Sequence, residues 1–151
     1  MNRSLRRLLR VRELVEDLAE LDLETKNAWL RGLEAAAETQ RSLARQGRAD
    51  AVEMLLKGSP LQLESLPMQN ADIQIAGMKE ARLEALAESA RVPVEQARDL
   101  LLERRRERRQ AEILIDAAVS AEEKNRLRRD QNRTDDWFQS RSSPSRTRGQ
   151  K

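Results

Sequence analysis

The residues of this 151-residue chain best equipped for recognition chemistry lie near its C-terminus: Arg129, Gln131, Arg133, Asp135, Asp136, Trp137, Phe138 and Arg141. Guanidinium and carboxylate groups offer charge-assisted hydrogen bonds, and two adjacent rings offer an apolar anchor. That combination suits binding another protein; the alternative is that one ring folds back on Leu5 or Leu9. Bond-making chemistry has few resources here. The chain contains no cysteine and no histidine, which removes thiol nucleophiles, disulfide frameworks and nearly all zinc or haem sites. It also lacks a Gly-rich phosphate loop. The expectation is a protein that is not an enzyme, with no cofactor, no metal and no small-molecule substrate.

The elements that must position these residues are helical. Leu, Ala, Glu, Arg and Gln dominate, and all lose little free energy on entering a helix. Charged residues make up 36% of the chain and aromatic residues only 2%, namely Trp29, Trp137 and Phe138. A thick core normally needs several buried rings. The composition predicts instead an all-α fold, a long antiparallel two-helix coiled-coil hairpin. Its single domain spans 1–141, with a helix over 3–57, a turn over 58–67 and a second helix over 68–141. Residues 142–151 read as a disordered basic tail. Gly58 is expected in the left-handed conformation that ends a helix, and Ser59-Pro60 to disfavour continuation. Leu61, Leu63 and Leu66 then either cap the tip or form an exposed apolar contact. Pro93 predicts a kinked or broken second helix, with Ser89 as a candidate cap.

Heptad spacing places Val11, Leu14, Leu18 and Leu21, followed by Thr25 and Ala28, on the seam of the first helix. A charge at Val11 is therefore expected to unfold the hairpin. Opposite lie Ile75, Met78, Leu86, Ala90, Val94, Ala97, Leu101, Ala111, Leu114, Ile115 and Ala118. Charge is segregated: residues 1–12 are basic, residues 13–24 acidic. Folding about residue 62 sets Arg104 and Arg108 beside Asp17, Glu20 and Asp22, and leaves residues 121–141 beyond the end of the first helix. This overhang is highly charged and ends in Trp137-Phe138.

The segment from Arg128 to Arg141 resembles the C-terminal signature of the FliJ/YscO family, components of bacterial type III export machinery. Gln131, Arg133, Asp135, Asp136 and Arg141 match its pattern of a glutamine, a base, an acidic pair and a closing arginine. The basic start followed by Leu8, Val11 and Arg12-Glu13 fits as well, as do the length and the break near residue 60. Trp137-Phe138 and Pro93 depart from the family pattern. The resemblance implies a two-helix antiparallel coiled coil similar to the central stalk of rotary ATPases. It further implies partners: the export ATPase ring, the membrane export gate and substrate chaperones. The polar overhang and the basic N-terminus become the end inserted into the ring, and the system is taken as flagellar.

Two other readings remain open on residues alone. Arg-rich helices and a sequence pI near 9.8 suit a nucleic-acid binder. Against this, acids are interleaved almost one for one, and no continuous basic region leads into a zipper. A self-associating structural coiled coil is the other. No signal segment or apolar membrane span is read from the sequence. The expected location is cytoplasmic, peripheral at the inner face of the cell membrane and reached only through partners.

Overall fold

The computed structural model describes residues 3–142. Helices account for 97% of it and no strand occurs among the described residues. The elements are α1 (Arg3–Lys57), α2 (Pro60–Leu63) and α3 (Leu66–Ser142). Apart from Ser142, the last residue of α3, the basic tail expected to be disordered lies outside the described residues.

The connection is built by local chemistry. The Gly58 N–H donates to the Met54 carbonyl at 2.8 Å, completing the last turn of α1. Gly58 is not left-handed, contrary to the sequence expectation. Its value is the missing side chain, because a Cβ there would collide with the Met54 carbonyl oxygen. Pro60 opens α2, where a missing N–H costs nothing. The Gln62 side chain accepts from the Ser59 N–H at 3.0 Å. Leu61 is 80% exposed, so it does not cap the connection, whereas Leu66 is half-buried. α3 begins at Leu66, two residues before the expected start, because Pro67 falls in its first turn and loses no helical bond.

α3 also runs through Pro93 without a break. The proline removes one backbone bond, a cost of about 3 kcal/mol in a helix interior. Burial offsets it. Ala90, Val94, Ala97 and Leu101 are each at most 5% exposed and recur at steps of four, three and four. Ser89 is not a cap; its hydroxyl donates to the Ala85 carbonyl at 3.0 Å.

The described chain forms two compact units. The larger, residues 15–104, holds the connection and the adjoining lengths of α1 and α3. Here Arg41 of α1 meets Glu80 and Glu84 of α3, and Glu34 of α1 meets Arg91 of α3. Its buried residues on α1 are Ala19, Ala37, Ala44 and Ala51, with Leu23, Leu30 and Leu33 half-buried between them. On α3 they are Ala76, Ala87, Ala90, Val94, Ala97 and Leu101. Such small side chains let backbones approach closely: a Cβ on Gly47 would lie 2.8 Å from Ile73 Cγ1. Met78, expected on the inner face of the second helix, is 74% exposed. Leu18 and Leu21, expected on the seam, are 66% and 60% exposed, and Ile75 and Leu86 also face outward. The heptad rule gives a spacing but not the face: α1 carries a leucine stripe and an alanine stripe, and the alanine stripe meets α3.

The smaller unit joins α1 up to Leu14 to α3 from Arg105 onward. Leu5 and Leu9 are half-buried, as are Ile115, Ala118 and Val119, around the buried Ala111. Val11, Leu14 and Leu114 are exposed, which corrects their assignment to the seam; Ile115 keeps its place. The Arg12 guanidinium donates to Glu107 at 2.6 Å. Arg108 also pairs at 3.0 Å with Glu112 on its own helix. No described helix is long and apolar enough to cross a membrane.

Candidate functional site

Helical spacing divides the eight C-terminal candidate residues. Arg129, Arg133, Trp137 and Arg141 recur every four residues and share one ridge of α3. Gln131, Asp135 and Phe138 recur at steps of four and three on another, with Asp136 set apart from it. All eight are exposed, as is every residue from 120 to 141. α3 nevertheless remains helical to Ser142.

The aromatic pair does not fold back on Leu5 or Leu9. The Trp137 and Phe138 rings meet edge to face, with centroids 5.1 Å apart and planes at 81°. The Arg141 guanidinium stacks over the Trp137 ring at 4.2 Å. A stacked guanidinium shields one indole face and keeps its outer N–H groups free to seek acceptors. Trp137 is still 50% exposed and Phe138 61%. The result is an apolar anchor rimmed by charge, at the end of a helical ridge that carries two more arginines.

A groove of about 450 Å³ adjoins this ridge within the same unit. It is lined by Arg6 of α1 and by Val119, Glu122, Glu123, Arg126 and Arg129 of α3. Arg129 is common to the ridge and the groove. The family resemblance had already joined the overhang, Arg129 included, to the basic N-terminus that holds Arg6. The signal for Arg6 was its place in the uninterrupted basic block at the start of α1.

The other charged constellation belongs to the larger unit. Arg41 donates through Nε to Glu80 and through a terminal nitrogen to Glu38, each at 2.7 Å, and it also pairs with Glu84. The hydrogen bond to Glu80, with the charges of Glu38, Glu80 and Glu84, holds the Arg41 guanidinium above its usual range. Its work is to tie α1 to α3. Of the seven seam candidates, only Leu101, 5% exposed, is buried; Ile115 is half-buried and the other five are exposed.

Comparison with protein families, curated proteins and solved structures finds no match for this chain. Any functional reading therefore rests on the residues and their geometry. What the geometry offers is a charged, ring-bearing helical surface suited to contact with another macromolecule.

Proposed function

We propose that this chain is a non-enzymatic component of a bacterial type III export apparatus, of the flagellar kind. Its fold on this reading is an antiparallel two-helix coiled coil that acts as a stalk. It binds and stimulates the export ATPase, and links that ring to the export gate and to substrate chaperones. It works in the cytoplasm at the inner face of the cell membrane, held there by its partners. The resemblance of residues 128–141 to the FliJ/YscO signature brings the reading to this chain. One observation carries it: α3 stays helical from residue 120 to Ser142 while every side chain to Arg141 is exposed. Most helical stability in proteins comes from tertiary packing, and this stretch buries no side chain within the described chain, so a binding partner gives it a purpose. Mixed charges along the ridge suit a stalk, since many weak polar contacts hold a shaft without locking the ring.

The test is ATP hydrolysis by a type III export ATPase from the same source, with and without this chain, alongside sizing for hexamers. Stimulation and ring formation are expected. Reversing Arg129 and Arg133 to Glu, or replacing Trp137 with Ala, should leave the helical circular dichroism signal intact and weaken stimulation at least tenfold, the scale of losing a binding anchor. Neither stimulation nor a complex would discard the stalk role. Binding to DNA or RNA that weakens steeply with salt would then favour the nucleic-acid alternative.

A further inference from the structure

A second heptad stripe runs along the outer face of α1 within the larger unit. It passes from Leu18 through Thr25, Gly32 and Thr39 to Ala49 in alternating steps of three and four. All ten of its positions are exposed and none is charged, in a chain that is 36% charged. An outward helix face ordinarily carries the charge. Three of its four polar side chains bond along α1 itself. Thr25 and Thr39 donate to the carbonyls of Leu21 and Ala35 at 2.9 and 3.0 Å, and the Gln46 amide donates to Asp50 at 2.9 Å. Leu18 and Leu21 at one end are more than half exposed, and so are the flanking Trp29 and Leu43. The stripe extends over more than four heptads, enough for a stable helix pair.

We propose that this face of α1 binds the same face of a second copy of the chain, antiparallel, with Gly32 of each copy opposite Ala35 of the other. The flanking charges select this occupant and this register. In an antiparallel helix pair, the residues bordering the seam on one side face their own kind on the partner. Here that border carries Asp17, Glu24, Arg31, Glu38 and Arg45. The register that opposes Gly32 to Ala35 sets Glu24 against Arg45 of the second copy and Arg31 against its Glu38. Two-fold symmetry doubles both pairings. It also lays Trp29 over the small Ala36. A slip of one heptad in one direction opposes Arg31 to Arg31 and Glu24 to Glu38. A slip in the other opposes Arg31 to Arg45 and Glu38 to Glu38. The proposed register pairs only opposite charges, whereas each neighbouring register brings like charges together, one of them alongside an Asp17–Arg45 pairing. Among the described residues Glu24, Arg31 and Arg45 make no ion pair within the chain, so three of the four charges that this register pairs are available to a partner. Small residues at the centre, Gly32, Ala35 and Ala28, let the two backbones come close.

Sedimentation equilibrium of the full chain alone tests the proposal, and it needs no ATPase, so its failure is separable from failure of the export reading. A dimer at low micromolar concentration is expected. Glu24→Arg opposes two pairs of arginines and should weaken the dimer by roughly tenfold or more. Adding Arg45→Glu to the same chain should restore it. Because the chain has no cysteine, Gly32→Cys and Ala35→Cys variants, mixed and oxidised, should give a disulfide joining one of each. Gly32 has open space around it, so the first substitution leaves the fold intact. A chain that stays monomeric, or one that dimerises with neither charge rescue nor the mixed disulfide, overturns the proposal. A monomer captured on this face by a different helix does so too.

Discussion

At the scale of single residues, burial separates positions that the heptad pattern treats alike. Val11 and Ala90 both sit on apolar stripes, yet Val11 is 54% exposed and Ala90 only 1%. A carboxylate introduced at residue 90 would be sealed between helices without a partner, a cost comparable to the whole stability of a small unit. Ala90→Asp should therefore abolish the cooperative thermal transition of the larger unit. Val11→Asp, at an exposed site, should change stability by no more than about 0.5 kcal/mol. Circular dichroism melts of both variants decide the matter, and a collapse in Val11→Asp would restore the leucine stripe as the seam. The same contrast shows what the sequence made legible. The exposure of the rings and charges at residues 129–141 was readable because no apolar periodicity surrounds them. The stacking of Arg141 on Trp137 and the groove that Arg6 and Arg129 both line depend on rotamers and long-range packing, which spacing cannot supply.

At the scale of elements, boundaries were readable because punctuation is local. Gly58-Ser59-Pro60 ends α1 at Lys57 through short-range sterics and hydrogen bonds, whatever the helices later do. The choice of face was not readable, since α1 carries two stripes of equal period and alanine packing is a property of the helix pair. Glycine substitutions expose that packing. Gly77 has open space around it, so Gly77→Ala should gain the full helix-propensity difference of about 1 kcal/mol. Gly47→Ala makes the same local gain, but its methyl lands 2.8 Å from Ile73 Cγ1, on a β-branched side chain with little freedom to turn away. Overpacking of this kind costs about 1–3 kcal/mol, so Gly47→Ala should lower the melting temperature where Gly77→Ala raises it. Equal shifts in the two variants would show that α1 and α3 stand farther apart than described.

At the scale of the whole molecule, the distribution of large apolar side chains is the governing fact. Among the described residues, nine of the eleven buried hydrophobics are alanine, and Val94 and Leu101 are the only larger ones. Leucine, valine, isoleucine, methionine and the rings supply the exposed hydrophobics instead, including Leu55, Leu56, Leu61 and Met68, each at least 66% exposed. Removing apolar surface from water is worth about 25 cal/mol per Å², so the chain keeps much of its hydrophobic free energy unspent until something covers those faces. Stability then becomes a matter of mass action. If a second copy covers the outer face of α1, raising the chain concentration a hundredfold well above the dissociation constant should stabilise the folded dimer by roughly 2.7 kcal/mol, and the melting temperature should climb by several degrees. Glu24→Arg should flatten that dependence, and high salt should not reproduce it fully, because the apolar seam survives screening while the flanking charges do not. A melting temperature independent of concentration in the unmodified chain, combined with a rise on adding the export ATPase, would assign the exposed faces to that partner.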